Sequence, residues 1–226
     1  IFGPVLHVAT YRAKDLDKVV NDINSCGFGL TFGLHTRIDD RVQTITSKLK
    51  VGNMYVNRNQ IGAIVGSQPF GGEGLSGTGP KAGGPNYVRR FTQDEDVKLA
   101  AEKGTSIDAA AAQKAIDALP AASTEKLSSV TLPGPTGESN VLSFFPRGVV
   151  LCLGPTLEAA QQQAEIAQAQ GCSTLVIAPN ASGDYTLNGV LDREALKTLS
   201  GFQAVACWGE EDDLRVIRKA LAAREG

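Results

Sequence analysis

Between Gln68 and Phe91 the chain sets seven glycines and three prolines, and here residue type and spacing best allow chemistry. Glycine gives up backbone entropy and proline lacks a donor, so the stretch cannot propagate a helix or a central strand. It reads as a shaped loop. Dense glycines expose backbone N–H groups and remove the Cβ atoms that hold a ligand away, which suits an anion such as a carboxylate or phosphate. A long surface loop is the competing reading. Gly72, Gly74 and Gly77 satisfy G-x-G-x-x-G, but that fingerprint needs a strand before it and a helix after it. Pro69 precedes it and Pro80 and Pro85 follow, so the dinucleotide reading is rejected. Lys81 lies between Pro80 and Ala82 rather than before Ser or Thr, so the phosphate-loop reading fails as well. Cys26, Cys152, Cys172 and Cys207 are widely spaced, with His7 and His35 the only histidines. Neither a zinc site nor a disulfide framework follows from that spacing. They read as reduced, mostly buried thiols, which points to the cytoplasm.

The elements that must position this loop follow from periodicity. Val5 to Thr10 reads as a buried strand, and Leu16, Val19, Val20 and Ile23 form the apolar face of a helix that Gly27 ends. Leu30 to Thr36 reads as a second strand. Asp39 or Asp40 then caps a helix whose Val42, Ile45 and Leu49 share a face. Asn53 to Asn57 is a third strand, pointing Met54 and Val56 inward or buried on both sides. This β-α-β-α-β order predicts a parallel sheet. At 226 residues, 42% hydrophobic and a net charge of −2, the chain holds enough apolar surface for a core. Its balanced charge gives nucleic acid no electrostatic footprint. The longest apolar runs are strand-length, so neither a membrane span nor a signal peptide is read.

Four ordered motifs carry a resemblance. Phe2-Gly3-Pro4-Val5-Leu6, Gly29-Leu30-Thr31 with His35-Thr36, Gly52 to Asn57, and Pro69-Phe70-Gly71-Gly72 with Ser76-Gly77 resemble, in order and spacing, the C-terminal catalytic-domain motifs of aldehyde dehydrogenases. Gly77 to Pro85 looks like the aldehyde anchor loop of the glutamate-γ-semialdehyde (pyrroline-5-carboxylate) dehydrogenases, and especially of the bacterial proline utilization A family. The resemblance implies that the N–H groups of Gly83 and Gly84 hold the α-carboxylate of glutamate-γ-semialdehyde, that Phe91 packs on its aliphatic chain, and that Phe2 borders the nicotinamide of NAD. It also implies that the nucleophilic cysteine, in a Gly-Gln-Arg-Cys type motif, and a cofactor-gripping glutamate lie upstream. None of the four cysteines here has such neighbours, and Cys26, between Ser25 and Gly27, reads as packing. The catalytic set within this chain is therefore expected to be empty, and the piece alone inactive. The first residues, Ile1-Phe2-Gly3-Pro4, read as those of a fragment.

The fold expected is α/β, the C-terminal part of an aldehyde dehydrogenase catalytic domain over residues 1–92 followed by a Rossmann-like βαβ domain over 141–226. Residues 93–140 read as a connector with an alanine-rich helix near Ile107 to Leu119 and a Pro/Gly-rich turn, Leu132 to Asn140, in which Glu138, Ser139 and Asn140 are polar enough for a site and equally well explained by turn formation. Leu132 to Asn140 followed by Val149 to Leu153 resembles the C-terminal extension of longer proline utilization A proteins. In that extension Val149 to Leu153, a helix from Leu157 to Gln170 ended by Gly171, and Ser173 to Ala178 make a β-α-β unit, followed by a helix near Asp192 to Leu199, a strand from Phe202 to Trp208 and a helix through Leu214, Ile217 and Leu221. Its first turn, Gly154-Pro155-Thr156, has one glycine where a dinucleotide fingerprint wants three, so it reads as a packing and lid module. In the intact relative, proline would be oxidised with FAD and its semialdehyde with NAD to give glutamate, and the protein would be a homo-oligomer, cytoplasmic or peripheral to the inner membrane. The rival reading is a non-catalytic assembly or interaction module derived from the same fold.

Overall fold

The computed structural model of the chain describes residues 3–92 and 99–224, which divide into two compact units. The first comprises Ile1–Gln93 with Leu132–Asn140; the second comprises Asp94–Thr131 with Val141–Glu225. The fold is α/β.

In the first unit, helix α1 (Leu16–Ser25) places Val20 inward and gives way to Gly27 at φ 73°, a left-handed position that glycine takes without a Cβ penalty. Strand β1 (Phe28–Gly29) leads into β2 (Thr31–Leu34), and helix α2 (Asp39–Lys48) returns the chain to β3 (Asn53–Val56), which runs parallel to β2. Val20, Ile45 and Leu49 form a small core on which Leu16, Ile23, Phe32, Leu34 and Met54 pack. Each such side chain, once buried, contributes about 1.5–3 kcal/mol. Short strand β4 (Glu73–Gly74), inside the glycine-rich stretch, pairs antiparallel with β1.

Two local expectations are corrected here, and the alternative left open for β3 is decided. Val5 to Thr10 forms no strand, and Leu6 and Val8 are more than three-quarters exposed; an apolar run becomes a strand only with a ladder partner, and among the described residues it has none. The parallel ladder is consequently β2 with β3 alone. Neither aspartate caps α2: Ile38 is the cap residue, its N–H donates to Thr36 Oγ1, and Asp39 and Asp40 sit in the first turn, where their charge favours the helix dipole. In β3 the most buried residue is Tyr55, which points away from Met54 and Val56, so both faces of the strand are covered.

The second unit is built on a four-stranded parallel sheet. After β5 (Ser106–Ile107), α3 (Ala109–Asp117), and the paired strands β6 (Ser128–Leu132) and β7 (Asn140–Phe144), the chain enters β8 (Val149–Cys152), helix α4 (Leu157–Ala169) and β9 (Ser173–Ala178). Then follow β10 (Thr186–Asn188), β11 (Val190–Leu191), a 3-10 helix Arg193–Lys197 where an α-helix was expected, β12 (Ala204–Ala206) and α5 (Glu211–Ala222). The sheet order is β10-β9-β8-β12, every pair parallel. Alternation decides the two cores. Leu151, Leu153, Leu175 and Ile177 face one side with Ile116, Leu196 and Ile217, while Val150, Cys152, Val176 and Ala178 face the other with Ala160 and Ala164 of α4. Where the sequence suggested a connector, α3 is capped by Asp108, which accepts from Ala111 N–H at 2.8 Å, and buries Ala112 and Ile116 in this core. Asp213 and Arg193 add a two-point ion pair, both contacts at 2.9 Å, between α5 and the 3-10 helix.

Candidate functional site

The glycine-rich stretch of the first unit is held at its centre by one cation. Lys81 Nζ donates to the carbonyls of Gly52 and Gly71, both at 2.6 Å, and lies 3.3 Å from Asn53 Oδ1. Asn53 completes the clasp: its Nδ2 donates to Pro69 O at 2.9 Å and its Oδ1 accepts from Gly71 N–H at 3.0 Å. The loop is thus stapled to the first residue of β3. Burial lowers the pKa of Lys81, with the charge of Glu73 opposing that shift, while the three oxygens around it favour the ammonium form. Close approach explains a glycine here as well, because a Cβ on Gly52 would stand 1.9 Å from Gly71 O. Neither Lys81 nor Asn53 was singled out as a site residue from sequence. The signal available was a lone lysine among glycines and prolines, which only the fold shows turned inward.

The loop then doubles back. Phe70 and Ala82 exchange backbone hydrogen bonds of 3.0 and 2.8 Å, and Gly66 N–H donates to Gly83 O at 3.0 Å. Gly83 has φ 71°, with Val65 Cα 3.0 Å from where a Cβ would lie. The two glycines expected to bind a carboxylate are adjacent and half-buried, and they differ in their hydrogen bonding. Among the described residues Gly83 N–H meets no acceptor, whereas Gly84 N–H donates to Lys81 O at 3.0 Å, closing a turn. Phe91 ends a 3-10 helix, Val88–Phe91, and is 74% exposed, its ring edge-on to Tyr87 at 5.5 Å. Arg90, on the same helix, brings Nη1 to 2.7 Å from where a Cβ on Gly79 would stand. Phe2, the residue expected beside a nicotinamide, lies outside the described residues.

The cysteines show no activated thiol among those whose ionisation is shifted. Cys152 is fully buried and pushed up to about 12, mainly by burial and secondarily by Cys172; burial also raises Cys207. Cys26 is exposed and its Sγ donates to Asp22 O at 3.3 Å. A reactive cysteine needs the opposite environment, a cation or helix N-terminus lowering its pKa.

The second unit leaves no place for a dinucleotide. Its β8–α4 turn, where a pyrophosphate would meet the helix N-terminus, is already filled. Gln163 Oε1 accepts from Gly154 N–H at 3.1 Å and its Nε2 donates to Gly154 O at 2.9 Å. Glu102 Oε2 accepts from Leu157 N–H at 3.4 Å, putting a carboxylate at the first turn of α4. The crevice at the strand ends there measures about 30 Å³, room for about one water molecule. These residues do not fit NAD or FAD. No described helix is long and apolar enough to cross a membrane.

The profile described as "Aldehyde dehydrogenase family" matches residues 1–97. The Klebsiella aerogenes "Bifunctional protein PutA" is 41% identical over 100% of this chain, which covers 20% of that protein; the Escherichia coli K12 protein of the same name is 39% identical with the same shares. The chain thus spans about one fifth of the length of these curated relatives. The "1-pyrroline-5-carboxylate dehydrogenase" of Bacillus cereus is 48% identical over 41% of this chain and 18% of that protein. Among solved structures, a Bradyrhizobium japonicum proline utilization A variant is 61% identical over 40% of this chain and 9% of its own, with a TM-score of 0.39. The Corynebacterium freiburgense protein is 22% identical over 78% of this chain and 22% of its own, with a TM-score of 0.41. Residues 1–97 match the aldehyde dehydrogenase family profile, and along its whole length the chain is similar to one part of the bifunctional PutA proteins.

Proposed function

We propose that this chain carries the substrate-anchoring part of an NAD-dependent glutamate-γ-semialdehyde dehydrogenase, working within a longer proline-catabolic polypeptide that also uses FAD. In this reading Gly83 and Gly84 bind the α-carboxylate through their N–H groups, and Phe91 covers the aliphatic chain of the substrate. The observation that carries it is Gly83: a left-handed glycine whose N–H meets no acceptor among the described residues, on a loop fixed in place by Lys81. Gly84 N–H joins it by opening the 81–84 turn, and the guanidinium of Arg90, close to Gly79, supplies positive charge nearby. Two charge-assisted bonds at about 1.5–3 kcal/mol each would dominate recognition of a small amino-acid aldehyde. The nucleophilic cysteine and the hydride acceptor's site come from the remainder of the polypeptide, so the chain by itself does not turn over. The second reading is an assembly or interaction module without chemistry of its own.

The test is done in the complete enzyme, purified with residues 1–226 in place. Replacing Gly84 by Val should raise the KM for the semialdehyde at least tenfold while the KM for NAD changes less than twofold. Gly84 is preferred because Val at Gly83 adds backbone strain at φ 71°, although a Cβ at Gly84 also stands 3.0 Å from Lys81 O. Equal effects on both constants sink the carboxylate-anchor assignment. A complete enzyme that never oxidises the semialdehyde, with Gly84 intact, would leave the non-catalytic module standing.

A further inference from the structure

Beneath the anchor stretch the first unit contains a polar cluster that the proposed chemistry does not use. Gln68, the residue before Pro69, is buried to 8% exposure. Its Nε2 faces two acceptors, Glu138 Oε2 at 3.5 Å and Asn140 Oδ1 at 3.4 Å. Asn140 Nδ2 donates to Pro133 O at 3.1 Å, which orients that amide and presents its oxygen to Gln68. Glu138 is shared, since its Oε1 accepts from Arg58 Nη1 at 3.0 Å. The Arg58 guanidinium in turn stands 5.6 Å from the centre of the Tyr55 ring, and Tyr55 donates its hydroxyl to Gly62 O at 2.6 Å. Two atoms of the cluster, Arg58 Nε and Gln68 Oε1, are buried without a partner among the described residues. Gln68 is the buried member of the cluster, so an amide hydrogen left without an acceptor there carries a desolvation cost, whereas Glu138 is exposed.

What the cluster holds is the floor of the anchor loop. Gln68 N–H donates to Ile64 O at 2.8 Å and Ile64 N–H returns to Gln68 O at 3.2 Å, closing a turn. From that turn Gly66 N–H donates to Gly83 O, and Val65 Cα packs under Gly83. A continuous path of hydrogen bonds and one packing contact therefore runs from Glu138 through Gln68 and the 64–68 turn to Gly83. Loop positions depend on such support, since a glycine N–H recognises an anion only where its direction is fixed.

We propose that Glu138, itself held by Arg58, is a positioning residue: it sets the place and direction of Gly83 through Gln68 without touching the substrate. Its significance for catalysis rests on the anchor-loop reading above; the mechanical coupling does not. This absorbs the polar Glu138-Ser139-Asn140 stretch, which sequence alone left divided between a site and a turn.

Hydrogen exchange on the 226-residue chain tests the coupling without any ligand. Glu138→Gln removes the charge and keeps the shape. It should speed exchange of the Gly66 and Ala82 amides about tenfold, the change expected from losing one charge-assisted bond, and leave α1 and α2 amides unchanged. Arg58→Met should act in the same direction, and the double variant should lose no more than the worse single one, because both remove one interaction. If exchange at Gly66 and Ala82 in Glu138→Gln matches the parent chain, the proposal is overturned. Should α1 and α2 also lose protection, Asn140→Ser, which removes only the second acceptor of Gln68, decides by the same two amides. In the complete enzyme, Glu138→Gln should raise the semialdehyde KM while sparing the KM for NAD. Faster exchange without that KM effect would uphold the coupling and overturn the anchor-loop reading instead.

Discussion

Replacing Lys81 by Met removes the cation that staples the glycine-rich loop and keeps nearly the same length of side chain. Two short bonds, to Gly52 O and Gly71 O at 2.6 Å, and one longer contact with Asn53 Oδ1 at 3.3 Å disappear together. A hydrogen bond from a charged group contributes about 1.5–3 kcal/mol. The two short ones would sum to about 3–6 kcal/mol, but half-burial of the lysine means the native state already bears part of its desolvation cost, as its lowered pKa records. Asn53 also keeps its bonds to Pro69 O and Gly71 N–H. A net loss of about 2–4 kcal/mol for local opening of the loop is the expectation. Hydrogen exchange reads this directly: the amides of Phe70 and Ala82, which bond each other across the loop, should exchange roughly 30- to 1,000-fold faster, since about 1.4 kcal/mol is a factor of ten. Lys81→Arg should not rescue them, because a planar guanidinium is bulkier than the point charge this three-oxygen cage surrounds. Exchange at both amides within twofold of the parent chain would refute the staple and the derivation of the loop's shape from it.

Two further perturbations test the packing and the ionisation. Gly52→Ala places a Cβ 1.9 Å from Gly71 O and 2.8 Å from Gly72 Cα, and should cost the first unit about 3 kcal/mol or more in urea unfolding; Gly66→Ala, open in space but at φ 78°, should cost only about 1–2 kcal/mol. Cys152 holds its proton up to about 12 when folded, against an ordinary 9.0. Between those values the unfolded chain releases a proton that the native chain keeps, so this thiol's contribution to stability is complete below the lower value. It falls by up to about 1.4 kcal/mol per pH unit above it. Urea unfolding at several alkaline pH values should therefore show a shallower loss of stability in Cys152→Ala than in the parent chain, and parallel curves would contradict the burial of this thiol.

The helices and the parallel strands β2, β3, β8, β9 and β12 were legible in the sequence because their signals are local, whereas the short parallel strands β5, β10 and β11 were not read. Leu16, Val20 and Ile23 set the face of α1, and the β8-α4-β9 order was read with its boundaries correct to about one residue. The apolar run Val5 to Thr10 misled for a physical reason: pairing, not composition, makes a strand, and pairing is non-local. The expected helix after Asp192 tightens to a 3-10 helix whose Arg193 is tied to Asp213, 20 residues away, a partner that no local pattern announces.

The candidate site divides in the same way. Sequence alone determined that Gln68 to Phe91 is a loop, since seven glycines and three prolines deny it a regular backbone, and the order of its motifs pointed to the family that the comparisons support. It also determined that the Gly154-Pro155-Thr156 turn lacks a dinucleotide fingerprint. Only the tertiary structure decided that Lys81 turns inward onto three oxygens, that Gly84 spends its N–H on Lys81, that Glu102 and Gln163 fill the turn before α4, and that Glu138 meets Arg58 across 80 positions of sequence. The reason is one of range: backbone preference is a property of neighbours along the chain, whereas the partner of a charge or an amide is whichever group folding brings within about 3 Å.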